Sequence, residues 1–449
     1  MMMAVELDNP STGARRAVVV GLGETGLACA RHLAAAGHRV AVTDTRERPP
    51  LAAELAREHP EIPRACGALD QRMLCEADFI VLSPGLDPRL PEIAVAREAG
   101  VPVIGEIELF ARVARAPVIA ITGSNGKSTV TTLVAAMLVE GGRDVAAGGN
   151  LGPSALSLLE RDTEPDCYVL ELSSFQLETV SRLAPAASVV LNISADHLDR
   201  YRDLDDYAAT KARIHERSAA VVINRDDPRV AAMGRPGDRG FTLGAPAEGD
   251  WGIVEGWFTR GDERCCPLAS LALPGRHNRA NALAALALAD AVGVPWEAMA
   301  RALTGYRGLA HRMAPVGRFR GRVFYDDSKG TNVGATVAAV SGVEAPLVLI
   351  AGGRGKGQDF RPLAGALRGR ARAVVVLGED AATVAAAVEG VCPVSYARDM
   401  AEAVALAVTA AYPGDAVVLS PACASQDMYT DYAARGEDFR RQVEGLGDD

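Results

Sequence analysis

The run ITGSNGKSTVTTL (121–133) decides how the rest of the chain is read. It follows the apolar PVIA and leads into VAAMLVEGG, so a buried strand passes through a glycine-rich turn into a helix that stops at Gly141-Gly142. Such a turn presents the free N–H groups of a helix N-terminus, where an anion is favoured. Lys127 can reach phosphate oxygens, and the Ser128 hydroxyl can join the shell of a Mg2+ ion. The common phosphate loop has four residues between its glycines. Only Ser124 and Asn125 separate Gly123 from Gly126 here, so the register is not that of the familiar GTPases. The run reads as an ATP site; a chance glycine-rich turn is the bland alternative.

Outward from this turn, buried strands alternate with helices in three sections, which predicts an α/β protein with mostly parallel sheets. The first section opens RRAVVVGLGETGLACARHLAAAGHRVAVTDTR and continues through ADFIVLSPG. The second adds strands in CYVLELSS, ASVVLNIS and AAVVIN and the small-residue helix RHNRANALAALALADAVG. Residues 245–270, with Trp251 and Trp257, read as peripheral strands or loops. The third carries GRVFYDD, APLVLIAGG, ARAVVVLGE and DAVVLSPA, and reads as a further parallel βα domain whose ligands sit outside the strand carboxyl ends. The expected boundaries are 1–112, 113–313 and 314–449.

Composition narrows the function classes. The 449 residues are 49% hydrophobic and 23% charged, with a net charge of −10. That surface repels nucleic acid and anionic membranes while leaving room for a local basic pocket. No apolar run reaches the roughly 18 residues of a membrane span, and MMMAVELDNP lacks a signal pattern. A soluble, cytoplasmic protein without stable membrane association is expected, and a monomer. The eight cysteines show no CxxC pair and read as reduced thiols. Of 47 basic residues only Lys127, Lys211, Lys329 and Lys356 are lysine. Three of them lie in GSNGKST, DDSKGTN and GGRGKGQ, where a compact amine rather than a planar fork is wanted.

Gly21, Gly23 and Gly26 follow VVV and open a helix, and Asp44 ends the next strand. This is the pattern of a dinucleotide site. Any pyrophosphate would suit it, a nucleotide-sugar included, and an NAD-linked oxidoreductase would leave Lys127 unexplained. Glu171 ends the strand CYVLE, where a carboxylate is placed to bind Mg2+, with a helix cap as the alternative. His197 follows another strand between Asp196 and Asp199; its residues leave it open between metal ligand and ordinary loop residue. Lys211, in DYAATKARIHE, reads by composition as a solvated helix lysine. In the third section, Asp327, Ser328, Lys329, Thr331, Asn332, Lys356, Ser420 and Ser425 gather at three strand ends and suggest an anion or carboxylate pocket, with plain turn chemistry as the alternative. Cys423 has no neighbouring histidine and is not read as a nucleophile.

Taken together, GLGETG with DTR, SPG, TGSNGKST, GGNLG, ELSSFQL, ISADHLDRY, LPGRHNRANALAA, GLAHRM, DDSKGTN, GGRGKG and LSPACAS resemble, in order and spacing, the ATP-dependent amino-acid ligases of peptidoglycan precursor synthesis. The resemblance covers essentially the whole chain. It implies a Rossmann-like N-terminal domain for a uridine nucleotide, a central P-loop ATPase-like domain and a Rossmann-like C-terminal domain for the amino acid. It implies an enzyme that joins D-glutamate to UDP-N-acetylmuramoyl-L-alanine through an acyl phosphate, using ATP and two Mg2+ sites. Gly123, Ser124, Asn125, Gly126, Lys127, Ser128 and Thr129 would bind ATP, with Asn278, Asn281, Arg312 and Asp327 as further nucleotide contacts. Ser128, Glu171, His197 and Lys211 would serve the metal, Lys211 as a carbamate, and Lys127 would act in catalysis. Asp196 would support that site and Asn150 would lie near the acceptor substrate. Thr25, Asp44, Thr45, Arg46, Ser83 and Gly85 resemble the uridine end of the acceptor site. Lys329, Thr331, Lys356, Ser425 and Tyr432 resemble the D-glutamate pocket. The carbamate reverses the compositional reading of Lys211 and fits a chain that otherwise uses arginine. Ala195 stands where the family often has Glu, and Gln426 and Tyr432 replace residues that are commonly apolar or Phe. A sibling ligase, an oxidoreductase and a nonenzymatic nucleotide-binding module are the rival readings. The split of ATP and amino-acid contacts between two domains predicts that the third swings onto the second.

Overall fold

The computed structural model describes residues 14–197, 199–273 and 275–447, and its strands fall into three sheets. The first runs in the order Arg64–Cys66, Arg39–Asp44, Arg16–Val20, Phe79–Leu82, Val103–Ile104, all parallel. All four residues of Phe79–Leu82 and four of the five in Arg16–Val20 are buried. Helices cover both faces of such a sheet, so its central strands are continuous apolar runs rather than alternating ones.

The central sheet has nine strands. Val118–Thr122 lies between Ala187–Val190 and Cys167–Glu171, with Val145–Gly149 beyond the latter. The chain leaves Val118–Thr122 toward one side of the sheet and returns on the other, so a crevice opens outside its carboxyl end. Helix Lys127–Glu140 packs there against Arg276–Ala291 and Trp296–Gly305. Asn281 through Ala289 are all buried, because Ala282, Ala284, Ala285, Ala287 and Ala289 let that helix approach on several sides.

Residues 245–270 form strands at the edge of the central sheet, as expected, but carry buried side chains. Trp251–Val254, Trp257–Arg260 and Glu263–Pro267 extend the central sheet through two antiparallel pairings. Trp251 and Phe258 are fully enclosed in the same core as helix Lys127–Glu140. The third sheet, in the order Ala314–Phe319, Arg322–Asp326, Ala416–Leu419, Leu347–Gly352, Ala371–Leu377, Val394–Tyr396, is parallel except for its first strand. That strand alternates poorly and was not legible; it is defined by its hairpin partner.

The N-terminal unit is fixed to the central one through helix Glu106–Val113. Glu108, fully buried, pairs with Arg112 at 2.9 Å and accepts from the N–H groups of Ser181 and Arg182 at 2.7 and 2.9 Å. Glu106 accepts from Leu156 N at 3.1 Å. Among the described residues, no helix is long and apolar enough to cross a membrane.

Candidate active site

Helix Lys127–Glu140 begins at Gly126, whose φ of +87° suits glycine. A Cβ there would also lie 2.3 Å from Asn281 Oδ1, so the turn is pressed against helix Arg276–Ala291. Side chains and backbone from the next strand end brace the turn. Asn125 N donates to Asn192 Oδ1 at 2.9 Å, and Asn192 Nδ2 returns a bond to Asn125 O at 3.0 Å. Ser124 Oγ donates to Ser194 O at 3.0 Å. Thr129 and Ser128 are buried behind the turn. Lys127 Nζ folds back onto the carbonyl oxygens of Gly123 and Ser124, at 2.8 and 3.0 Å.

The turn faces a cleft with about 900 Å3 of open space, shared between the central and C-terminal units. Asn125, Gly126 and Thr129 line one side, and Asn278, Asn281, Arg312, Asp327 and Lys329 the others. Arg312 Nη2 donates to Ser128 Oγ at 2.8 Å. Asp327 is buried; burial pushes its carboxyl up to about 7 despite bonds from Ser420 Oγ at 2.7 Å and Met313 N at 3.2 Å.

A second cluster adjoins the turn. Glu171 is 1% exposed. Asn150 Nδ2 donates to its Oε1 at 2.7 Å, while Oε2 is buried without a hydrogen-bond partner. Burial would raise this carboxyl, but the charge of Lys127 and hydrogen bonding outweigh it and hold it below its usual range. His197 is half-buried with φ +55°, and burial brings its imidazole down to about 4, so the ring is neutral at physiological pH. The His197 backbone N–H donates to Asp196 Oδ1 at 3.0 Å. Lys211 is not the solvated lysine its composition suggested. It is 1% exposed, and its Nζ donates to Gly123 O at 3.1 Å and Thr122 Oγ1 at 3.3 Å. The ring of Tyr207 lies 4.6 Å from that amine. Burial, and then the charge of Lys127, pull the Lys211 pKa well below an ordinary lysine's.

These groups suit a hard cation. An orphaned, buried carboxylate oxygen beside a lysine-lined phosphate turn leaves an acceptor open to a directly bound cation. Among the described residues no three His, Cys, Asp or Glu side chains gather to hold a metal. Glu171 and His197 would therefore need further oxygen donors, which phosphate, water or a derivatised Lys211 could supply.

The C-terminal residues reach across. Asn332 Nδ2 donates to Asn125 Oδ1 and Asp196 Oδ2, both at 3.1 Å, and Lys356 Nζ stands 3.9 Å from Asp196 Oδ1. Lys329 Nζ donates to Tyr432 OH at 3.1 Å and lies 4.5 Å from that ring's centre. Thr331 follows in the same turn and Ser425 is buried at the end of a third strand loop. In the N-terminal unit, Ser83 Oγ donates to Gly21 O at 3.0 Å. Asp44 accepts from Leu22 N at 2.7 Å and from Arg46 Nη2 at 2.7 Å, leaving the half-exposed Arg46, with Thr45 and Gly85, to face solvent. Thr25 is half-buried in the first turn of the helix beyond Gly23.

Two residues at these strand ends were not singled out from sequence. Arg435, 3% exposed, donates to Ser328 O, Ser328 Oγ and Cys423 O at 2.8, 3.0 and 3.1 Å. His311 Nδ1 and Asp326 Oδ2 are 2.6 Å apart. In a chain this rich in arginine nothing local marked Arg435; for His311 the only signal was its place beside Arg312 in GLAHRM.

Comparison with known proteins bears on the same residues. Models of the Mur ligase MurD-like N-terminal domain, the Mur ligase middle domain and the Mur ligase glutamate ligase domain match residues 15–105, 121–289 and 311–423. The chain is 51% identical over 438 residues to the UDP-N-acetylmuramoylalanine–D-glutamate ligase of Nitrosococcus oceani, covering 96% of each. It is 46% identical over 443 residues to that of Pseudomonas aeruginosa, covering 96% of this chain and 98% of the other. Among solved structures, a pseudomurein peptide ligase type C from Methanothermus fervidus aligns with a TM-score of 0.63 at 18% identity, over 96% of this chain and 100% of that one. UDP-N-acetylmuramate–alanine ligase MurC from Thermotoga maritima aligns at 0.62 and 20%, with the same coverage. At such identities the structural likeness is one of fold.

Proposed function

This chain belongs to the Mur ligase family, among its UDP-N-acetylmuramoylalanine–D-glutamate ligases, and from that premise we propose how its own residues carry the reaction. It is an ATP-dependent ligase that adds D-glutamate to UDP-N-acetylmuramoyl-L-alanine, giving ADP and phosphate, in cytoplasmic peptidoglycan precursor synthesis. The single observation that carries the site assignment is the convergence of Lys127, the orphaned Glu171 oxygen and Arg312 at one strand-to-helix turn.

The alanyl carboxylate of the acceptor attacks the γ-phosphoryl group, the bond to the β-phosphate oxygen breaks, and an acyl phosphate and ADP result. The amine of D-glutamate then attacks the acyl carbon, and phosphate leaves. Every reactant is anionic, while the protein carries a net charge of −10. Local cations must hold these anions at attack distance and stabilise the charge that develops. Lys127 is released from Gly123 O and Ser124 O to the γ-phosphoryl oxygens. Arg312 lies at the same turn, and Asn278, Asn281 and Asp327 hold the rest of the nucleotide. Glu171, His197 and Ser128 would hold Mg2+, with Asn150 keeping the Glu171 carboxylate oriented. Bound there, Mg2+ would supply Lewis-acid neutralisation of phosphate charge.

For Lys211 the finer reading is a carbamate. Carbamate formation requires a neutral amine, and burial beside Lys127 supports that state. The modified nitrogen would bring a second carboxylate to a cluster in which Glu171 supplies the one protein carboxylate. Thr25, Thr45, Arg46, Ser83 and Gly85, at carboxyl ends of the parallel N-terminal sheet, would take the uridine nucleotide, with Asp44 holding Arg46 in place. Lys329, Thr331, Lys356, Ser425 and Tyr432 would take D-glutamate. These assignments correspond to N-terminal, central and C-terminal domains divided near residues 112 and 313. Contacts from Asn332 and Lys356 to Asp196 of the central unit support closure of the third domain over the acyl phosphate, where water must be excluded.

The test is phosphate release with UDP-N-acetylmuramoyl-L-alanine, ATP and Mg2+. D-glutamate should stimulate it and L-glutamate should not. Stimulation by another amino acid in preference to D-glutamate would move the chain to a sibling activity.

A further inference from the structure

Arg200 has no place in the assignments above, yet its side chain is only 9% exposed. Its Nη2 and Nε donate to the two carboxylate oxygens of Glu178, at 2.5 and 3.3 Å. Nη1 crosses the domain boundary and donates to Pro84 O at 3.3 Å, inside the Ser83–Gly85 turn. The guanidinium carbon lies 4.3 Å from the centre of the Phe175 ring. That ring in turn meets the His197 imidazole edge-on, with centroids 4.7 Å apart and planes at 63°. Arg200 N also donates to His197 O at 2.9 Å, closing the backbone turn that holds His197 at positive φ.

A buried ion pair is seldom favoured over apolar residues of the same volume, so stability alone is a weak reason for its presence. A planar guanidinium can chelate a carboxylate, stack on a ring and donate to a carbonyl at once, which an ammonium cannot. An imidazole attached at a strained backbone position needs a neighbour to fix its plane, and Phe175 is that neighbour. Phe175 is itself held on its other contacts by Arg200 and by the near-parallel ring of Tyr201, at 6.1 Å.

We propose that Arg200 is a positioning residue: through Phe175 it sets the plane of the His197 imidazole, and through Pro84 it ties that imidazole to the turn assigned to the uridine nucleotide. Acceptor binding at Ser83–Gly85 and metal binding at His197 are thereby coupled. The proposal rests on reading His197 as a metal ligand, and the experiment separates the two.

Histidine-15N-labelled protein is prepared without metal as wild type, Arg200→Met, Arg200→Lys and Phe175→Leu, with His197→Gln to assign the resonance. The His197 ring signals should move in Arg200→Met and Phe175→Leu, and less in Arg200→Lys. In phosphate release, half-saturating Mg2+ should rise about tenfold in those two variants, while the KM for D-glutamate changes by less than about twofold. Unmoved His197 signals in the folded variants would overturn the proposal, as would a parallel rise in every KM. If Arg200→Met fails to fold, Phe175→Leu and Arg200→Lys decide the same question. If His197→Gln leaves the Mg2+ dependence untouched, the ligand reading of His197 falls, and the metal-free spectra still decide whether Arg200 orients the ring.

Discussion

Lys127 and Lys211 donate to one acceptor, the carbonyl oxygen of Gly123, at 2.8 and 3.1 Å. Two full charges about 4 Å apart in a protein repel by about 4 kcal/mol. With half of all its lysines at one carbonyl, the conflict falls on the more deeply enclosed amine, and burial, then the charge of Lys127, draws the Lys211 pKa well below an ordinary lysine's.

Lys211→Met should therefore separate stability from activity. The folded pKa of Lys211 lies below its unfolded value, so folding must expel a proton at any pH between the two. Wild-type stability contributed by this group is complete above the unfolded pKa and is lost as pH falls toward the folded one. Thermal melting should show the variant gaining on wild type at pH 7 and not above about pH 10.5, near the unfolded lysine value. Turnover should fall by at least about a hundredfold if a carbamate serves the metal. A carbamate carbon should appear by 13C NMR of wild type equilibrated with labelled bicarbonate, and Lys211→Ala should regain activity with a small carboxylate.

Gly126→Ala should damage the nucleotide site without unfolding the protein. Positive φ at a residue bearing a Cβ is worth about 1–3 kcal/mol of strain, and the new carbon would also strike Asn281 Oδ1. Calorimetric titration should show ATP affinity lowered at least about tenfold, for a loss near 1.4 kcal/mol. Asn281→Ala in the same chain should relieve the collision and leave the backbone strain.

Arg312→Met should loosen the entry to the C-terminal unit from the phosphate turn. Its bond to Ser128 Oγ pins that boundary to the turn, and in the proposed mechanism the same guanidinium faces phosphate. A charge-assisted bond of this kind contributes about 1.5–3 kcal/mol, so the KM for ATP should rise about tenfold or more. Small-angle scattering should register a larger radius of gyration than wild type with nucleotide present. An unchanged envelope would count against closure as the role of this contact.

Asp327→Asn should stabilise the nucleotide-free protein above about pH 4. Burial raises the folded carboxyl to about 7, so the folded state retains a proton that the unfolded state has released. Wild-type stability from this group is whole below the unfolded pKa and drains away as pH rises to about 7. The difference in melting temperature between the two proteins should grow across that window and then level off. Activity should fall with the change, because Asp327 faces the nucleotide cleft.

The sequence determined a good deal by itself. The strand, turn and helix at Val118–Glu140, the glycine turn after Arg16–Val20 and the strand ends that carry Asp44, Glu171, Asp327 and Lys356 were all legible, because hydrophobic period, glycine and strand termination act over a few neighbouring residues. What only the tertiary structure decided is what those strand ends meet. Burial took Lys211 from an apparent surface helix to Gly123, enclosed Trp251, buried Arg435 between Ser328 and Cys423, and brought Arg200 from one unit to Pro84 of another. Charge state and ligand geometry depend on which side chains lose water together, and that is fixed by contacts between residues tens to hundreds of positions apart.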